Sequence, residues 1–144
     1  MPAQEVTWMK IVDAEGLIMG RMATQVAKML LNGEQVIVTN AEKAVITGSK
    51  NHIMETYYEK RRMVHPRKGP IFPRQPHLIV RRTVRGMLPY QTPHGREAFK
   101  RLTVHIGVPR DVKGKPEALK GASSEGKTRF MMVGDISRQL GAKF

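Results

Sequence analysis

Residues 7–39 read TWMKIVDAEGLIMGRMATQVAKMLLNGEQVIVT, and this stretch decides the fold. Its first part, Thr7 to Val12, alternates loosely around Trp8, Ile11 and Val12 and predicts a strand. Asp13-Ala14-Glu15-Gly16 turns the chain. From Leu17 to Leu31, Met19, Met22, Ala23, Val26, Ala27 and Leu30 recur at three- and four-residue spacing. Arg21, Thr24, Gln25 and Lys28 fall on the other face, so the segment predicts an amphipathic helix. Asn32-Gly33 supplies residues that tolerate a left-handed stop. Gln35 to Thr39, with Val36, Ile37 and Val38 in a row, is a short apolar strand of the kind buried on both faces. Strand, helix and strand in this order predict a right-handed crossover and a parallel pair, the core of an α/β fold.

Downstream, Ala44 to Thr47 predicts a brief extended piece, and Gly48-Ser49-Lys50 leads into a helix from Asn51 to Arg62. Pro66 to Pro76 is too rich in proline for a helix or a central strand and predicts an extended arm. A helix follows from His77 to Arg85, with Arg81, Arg82 and Arg85 on one side and Val80, Val84 and Met87 on the other; Gly86 should cap it and Pro89 prevents continuation. Gly95 to Leu102 predicts another helix with Ala98, Phe99 and Leu102 inward, and Thr103 to Val108 a last core strand closed by Pro109. Arg110 to Lys127 is rich in Lys, Gly and Ser with little to bury, and should order only on a partner. Arg129 to Val133 could form a strand, and Asp135 could cap a short terminal helix ending at Gly141. The 144 residues fit a single domain, with a core at about 6–109, an arm at about 63–76 and a C-terminal extension at 110–144.

The charge is unevenly spread. The first 59 residues carry five basic and seven acidic side chains, whereas the remaining 85 carry 20 basic and five acidic. Between Lys60 and Arg96 there is no Asp or Glu, but ten Lys or Arg and six of the nine prolines. A field this concentrated calls for an anionic surface, and a phosphate backbone offers closely spaced charge with counterions to release. The candidate RNA-contacting residues are Lys50, Lys60, Arg61, Arg62, Arg67, Lys68, Arg74, Arg81, Arg82, Arg85, Arg96, Lys100 and Arg101. In this reading Arg67, Lys68 and Arg74 reach between RNA helices from the arm, while Arg81, Arg82 and Arg85 form a helical stripe against backbone. With ten methionines and only four phenylalanines, few aromatics are on offer for base stacking.

Positive signs of catalysis are missing. Gly16 and Gly20 do not make a dinucleotide-binding fingerprint, and there is no Gly-Lys-Ser/Thr phosphate loop. The absence of cysteine excludes disulfides, thiolate metal sites and thiol nucleophiles. The five histidines lack two-ligand spacing, so no metal is expected; the serines sit in no nucleophile elbow, and the acids form no pair. No signal peptide is expected at Met1 to Lys10, which carries Glu5 and lacks an apolar run, and a cytoplasmic location without membrane contact is anticipated.

Three clusters carry a resemblance: Gly20-Arg21-Met22-Ala23; Asn40-Ala41-Glu42-Lys43-Ala44 with Thr47-Gly48-Ser49-Lys50; and Arg85-Gly86-Met87-Leu88-Pro89 with His94-Gly95-Arg96 and Arg101-Leu102 behind it. In order and spacing, from about Val6 to Pro109, the chain resembles the L-thirteen family of large-subunit ribosomal proteins, with a tail and arm closer to archaeal and eukaryotic members. The resemblance implies a three-layer α/β/α fold with a small, mainly parallel four-stranded sheet. It implies a structural role in the large ribosomal subunit, binding to large-subunit ribosomal RNA, contact with neighbouring ribosomal proteins and support of assembly. It also implies no enzyme activity, cofactor or small-molecule substrate, and no homo-oligomer is expected. Two other classes compete: an RNA-acting α/β enzyme, which would need a glycine-rich phosphate loop or clustered acids, and a free-standing RNA-binding regulator.

Overall fold

A computed structural model of the protein describes residues 9–62, 67, 72–110, 112, 114–117 and 119–144. The opening unit forms as β1 (Met9–Asp13), α1 (Met19–Leu31) and β2 (Gln35–Thr39); Thr7 and Trp8, assigned to the first strand, lie outside the described residues. β1 and β2 are parallel, from Met9 opposite Gln35 to Asp13 opposite Thr39. On the other side β2 pairs in parallel with β4 (Leu102–Val104), Val36 lying opposite Leu102, so the sheet order is β1-β2-β4. The continuous apolar run belongs to the central strand, where Val36 and Val38 are fully buried. α1 buries the same six apolar residues that the periodicity selects. Its stop falls one residue later than the first candidate: Asn32 remains right-handed, and Gly33 takes the left-handed conformation at φ +92°.

The chain is α/β with a small, mainly parallel sheet, as expected, and five helices among the described residues, but the fourth strand does not join that sheet. β3 (Val45–Thr47) pairs antiparallel with β5 (Phe130–Met132) in a separate two-stranded sheet. α2 (Lys50–Arg62) begins after Ser49, whose Oγ accepts the His52 N–H at 3.4 Å. α3 (Pro76–Gly86) and α4 (Pro93–Lys100) pack with α1 and β4, and α5 (Val133–Gln139) packs on α3 and on the short 3-10 turn Ala41–Lys43. Val12, Val36, Val38, Leu102 and Val104 share one core with Met22, Val26, Ile79, Val80, Val84 and Ala98.

Several sequence expectations need correction. Gly86 lies inside the last turn of α3, and the cap falls on Met87, which is right-handed. Met87 therefore splays outward, 42% exposed, with its Sδ 3.5 Å from Thr24 Oγ1, and Ile79 fills the inward position instead. α4 starts two residues earlier than expected because Thr92 caps it and Pro93 fits the first turn. It also ends earlier, because Leu102 belongs to β4. β4 itself is shorter than Thr103–Val108, since after His105 N–H reaches Val38 O the chain turns and Gly107 O accepts from Asn40 N–H. Asp135 lies in the first turn of α5, one of whose flanking residues, Met132, takes the cap position.

The segment after Arg110 also has more to bury than its composition suggests. Leu119 and Ala122 are buried. Ala122 O accepts from Ile18 N–H at 2.7 Å, Gly121 O from Arg21 Nη1 at 3.0 Å and Lys120 O from Gln25 Nε2 at 2.8 Å. Ser124 Oγ donates to Gly16 O at 2.7 Å, and Glu117 binds Lys10 Nζ at 2.7 Å. The attachment runs largely through main-chain carbonyls, which composition does not reveal.

Candidate nucleic-acid interface

The arginine stripe lies on α3, whose opposite side is held by Ile79, Val80 and Val84 in the core. Each arginine rests near an aromatic ring. The Arg81 guanidinium carbon is 4.5 Å from the Phe99 centroid, that of Arg82 is 5.6 Å from Phe72, and that of Arg85 is 4.3 Å from Tyr90. Tyr90 and Phe99 meet edge to face at 5.6 Å. Lys60 Nζ continues the arrangement, 4.9 Å from the Tyr57 ring and 5.2 Å from Phe72. A guanidinium seated on a ring, as those of Arg81 and Arg85 are, loses less freedom on binding and can turn its in-plane N–H edge to a bidentate acceptor such as phosphate.

Two shallow grooves flank the stripe. One, of about 580 Å³, is bordered by the Gly86–Thr92 turn; the other, of about 230 Å³, by Pro73, Leu78 and Phe99. Arg82 and Arg85 line both, so they form the ridge between them.

The turn after α3 is built on the buried Leu88. Tyr90 N–H donates to Leu88 O at 2.8 Å, and Thr92 donates to Pro89 O from both N–H at 3.0 Å and Oγ1 at 2.8 Å. Thr92 Oγ1 in turn accepts from Gly95 N–H at 3.3 Å, capping α4. Gly95 permits the crossing: a Cβ there would lie 1.9 Å from Pro89 O. The Met87-Leu88-Pro89 motif and Gly95 thus act together, setting Tyr90 beside Arg85.

The other candidate residues divide by position. Lys60, Arg62, Arg67, Arg74, Arg96 and Lys100 are exposed. Lys50 is also exposed, but about 15 Å of helix axis separates it from Lys60. Lys68 lies outside the described residues. Two candidates serve the fold. Arg61 Nη1 donates to Phe72 O, tying α2 to the start of the 72–75 segment, and half-buried Arg101 donates to Leu30 O at 2.7 Å, satisfying a carbonyl at the end of α1. Gly20 and Arg21 are exposed on α1. Sequence reasoning missed the rings Tyr57, Phe72, Tyr90 and Phe99 as supports; Tyr57, three residues before Lys60 on α2, and Tyr90, five residues after Arg85, carried a local signal, whereas Phe72 and Phe99 did not.

Carboxylates pair elsewhere, in Lys10–Glu117, Lys43–Glu15 and Arg138–Asp135. Among the described residues no group of three or more His, Cys, Asp or Glu could hold a metal ion, and no helix is long and apolar enough to cross a membrane.

His77, in the first turn of α3, has a buried Nδ1 without a hydrogen-bond partner. Burial, then the nearby His105 and Arg81, hold its pKa below the ordinary value of 6.5. As pH falls through about 6.5 the unfolded chain takes up this proton before the folded one does. The contribution of His77 to stability is therefore present above that pH and declines below it. Thermal melts at about pH 7.5 and 5.5 should show a smaller pH-dependent difference in His77→Gln than in the parent.

Fold and surface together define a small α/β protein with one strongly cationic, ring-supported face. Residues 7–111 match the family described as Ribosomal protein L13. Large ribosomal subunit protein uL13 of Methanocaldococcus jannaschii is 46% identical over 140 residues, covering 94% of this chain and all of the relative (100%). The proteins of the same name from Methanococcoides burtonii and Methanopyrus kandleri are 48% and 46% identical, covering 94% and 97% of this chain and 100% and 91% of the relatives. The chain belongs to the ribosomal protein L13 family, and its relatives here are archaeal, in keeping with the expected branch.

Proposed function

We propose that this protein is a structural, non-catalytic constituent of the large ribosomal subunit that binds large-subunit ribosomal RNA through the α3 face and supports subunit assembly. The observation that carries the RNA-binding part is the stripe of Arg81, Arg82 and Arg85, each beside a ring, with Arg82 and Arg85 forming the ridge between two grooves. Lys60, Arg62, Arg67, Lys68, Arg74, Arg96 and Lys100 extend the positive field, Lys50 makes a separate contact, and Arg61 and Arg101 act chiefly by holding the face together. RNA binds by neutralisation of close-packed phosphates, with shape and 2′-hydroxyl contacts outweighing base reading. Neighbouring ribosomal proteins complete the setting, and the protein enters the subunit as a single copy.

Sedimentation of cell extract through a high-salt sucrose cushion tests this reading. The protein should pellet with large subunits. Recovery in the ribosome-free supernatant would instead indicate a free-standing regulator.

A further inference from the structure

Gly20, the second residue of α1, and Gly86, the last residue of α3, are both exposed, and a Cβ at either would meet nothing within 4 Å. Neither has a positive φ. In helical backbone without a positive φ glycine holds no advantage over alanine, even in a terminal turn, so the fold itself gives no reason for either residue. The two also border one seam. Thr83 Oγ1 on α3 is 3.7 Å from Met19 Sδ, beside Gly20, and Thr24 Oγ1 on α1 is 3.5 Å from Met87 Sδ, beside Gly86. Arg21 and Arg85 follow and precede the two glycines directly, and Arg85 and Gly86 both line the larger groove.

We infer that the α1–α3 seam around Gly20 and Gly86 is a close-approach surface for the sugar–phosphate backbone of ribosomal RNA, the missing side chains letting the strand settle between Arg21 and Arg85. This inference rests on the RNA-binding reading and deepens it. The arginines supply attraction at a distance, and the glycines set how near the strand can come. Contact energies fall off within a fraction of an ångström to an ångström of separation, so even one methyl group matters.

Gly20→Ala, Gly86→Ala and the bulkier Gly20→Gln and Gly86→Gln should be compared with the parent full-length protein. The probe is deproteinised large-subunit ribosomal RNA of Methanocaldococcus jannaschii, titrated across a salt series. The alanine variants should melt at or slightly above the parent temperature, by about 2 °C. They should nevertheless bind about tenfold more weakly, and the glutamine variants more weakly still, with the slope of log affinity against log salt unchanged, because no charge is lost. Parent-like affinity in all four variants, with a steep parent salt slope, would overturn the inference and leave RNA binding standing. A shallower slope in the variants would also overturn it, since the effect would then be loss of ionic contacts. A parent protein without salt-dependent binding would remove the RNA reading and this inference with it.

Discussion

Gly95→Ala is expected to cost the fold about 3 kcal/mol or more, the upper end for overpacking a tight contact. The added Cβ would meet three backbone atoms, Pro89 O at 1.9 Å, Pro89 C at 2.3 Å and Tyr90 N at 2.9 Å, and no flexible side chain can yield in their place. Pro89 O already accepts two bonds from Thr92, whose Oγ1 caps α4, so shifting it disturbs both the turn and the helix start. Arg96→Ala, one residue away on the exposed side, should change stability by less than about 0.5 kcal/mol. Denaturant midpoints at constant slope provide the measurement. A Gly95→Ala midpoint equal to that of Arg96→Ala would mean that the turn is not packed against α4 as described.

The largest effect on binding should come from replacing Arg81, Arg82 and Arg85 together with glutamine. Glutamine keeps helix propensity and approximate length but removes three positive charges. Each lost phosphate contact should make the salt slope shallower by about 0.7 to 0.9, or roughly two units for three contacts. At about 0.15 M salt that corresponds to an affinity loss of about 100-fold. Three cation–ring contacts go as well, at about 0.5 to 1 kcal/mol each, so the variant should melt earlier yet remain folded on Ile79, Val80 and Val84. A well-folded triple variant with an unchanged slope would take α3 out of the interface.

Local periodicity made much of this molecule legible. The crossover unit, the inward face of α1 and the arginine stripe all follow from side-chain spacing within one element. The misreadings fall where several elements meet. β3 looks like a partner for the main sheet until β5 takes it, some 80 residues later in the chain. Met87 fits the inward face of a helix wheel, but the helix ends just before it. The terminal segment looks unable to bury anything because its attachment to α1 runs through the carbonyls of Lys120, Gly121 and Ala122. For the site, the charges were visible and their supports were not. Phe72 and Phe99 lie ten and eighteen residues from the arginines they support, Arg82 and Arg81, and only the fold brings them together. Gly95 matched a family pattern, and its physical reason emerged only with the Pro89 carbonyl across from it.

Because the chain has no cysteine, single cysteines can place a hydroxyl-radical-generating chelate at chosen points of the protein within reconstituted large subunits. Gln91 borders the larger groove, whereas Thr103 is exposed between the buried Leu102 and Val104 and so points away from the helical core. With Gln91→Cys and Thr103→Cys carrying the chelate, strand cleavage of ribosomal RNA should be strong from position 91 and much weaker from position 103. Cleavage from position 103 with none from position 91 would contradict the placement of the arginine face against RNA.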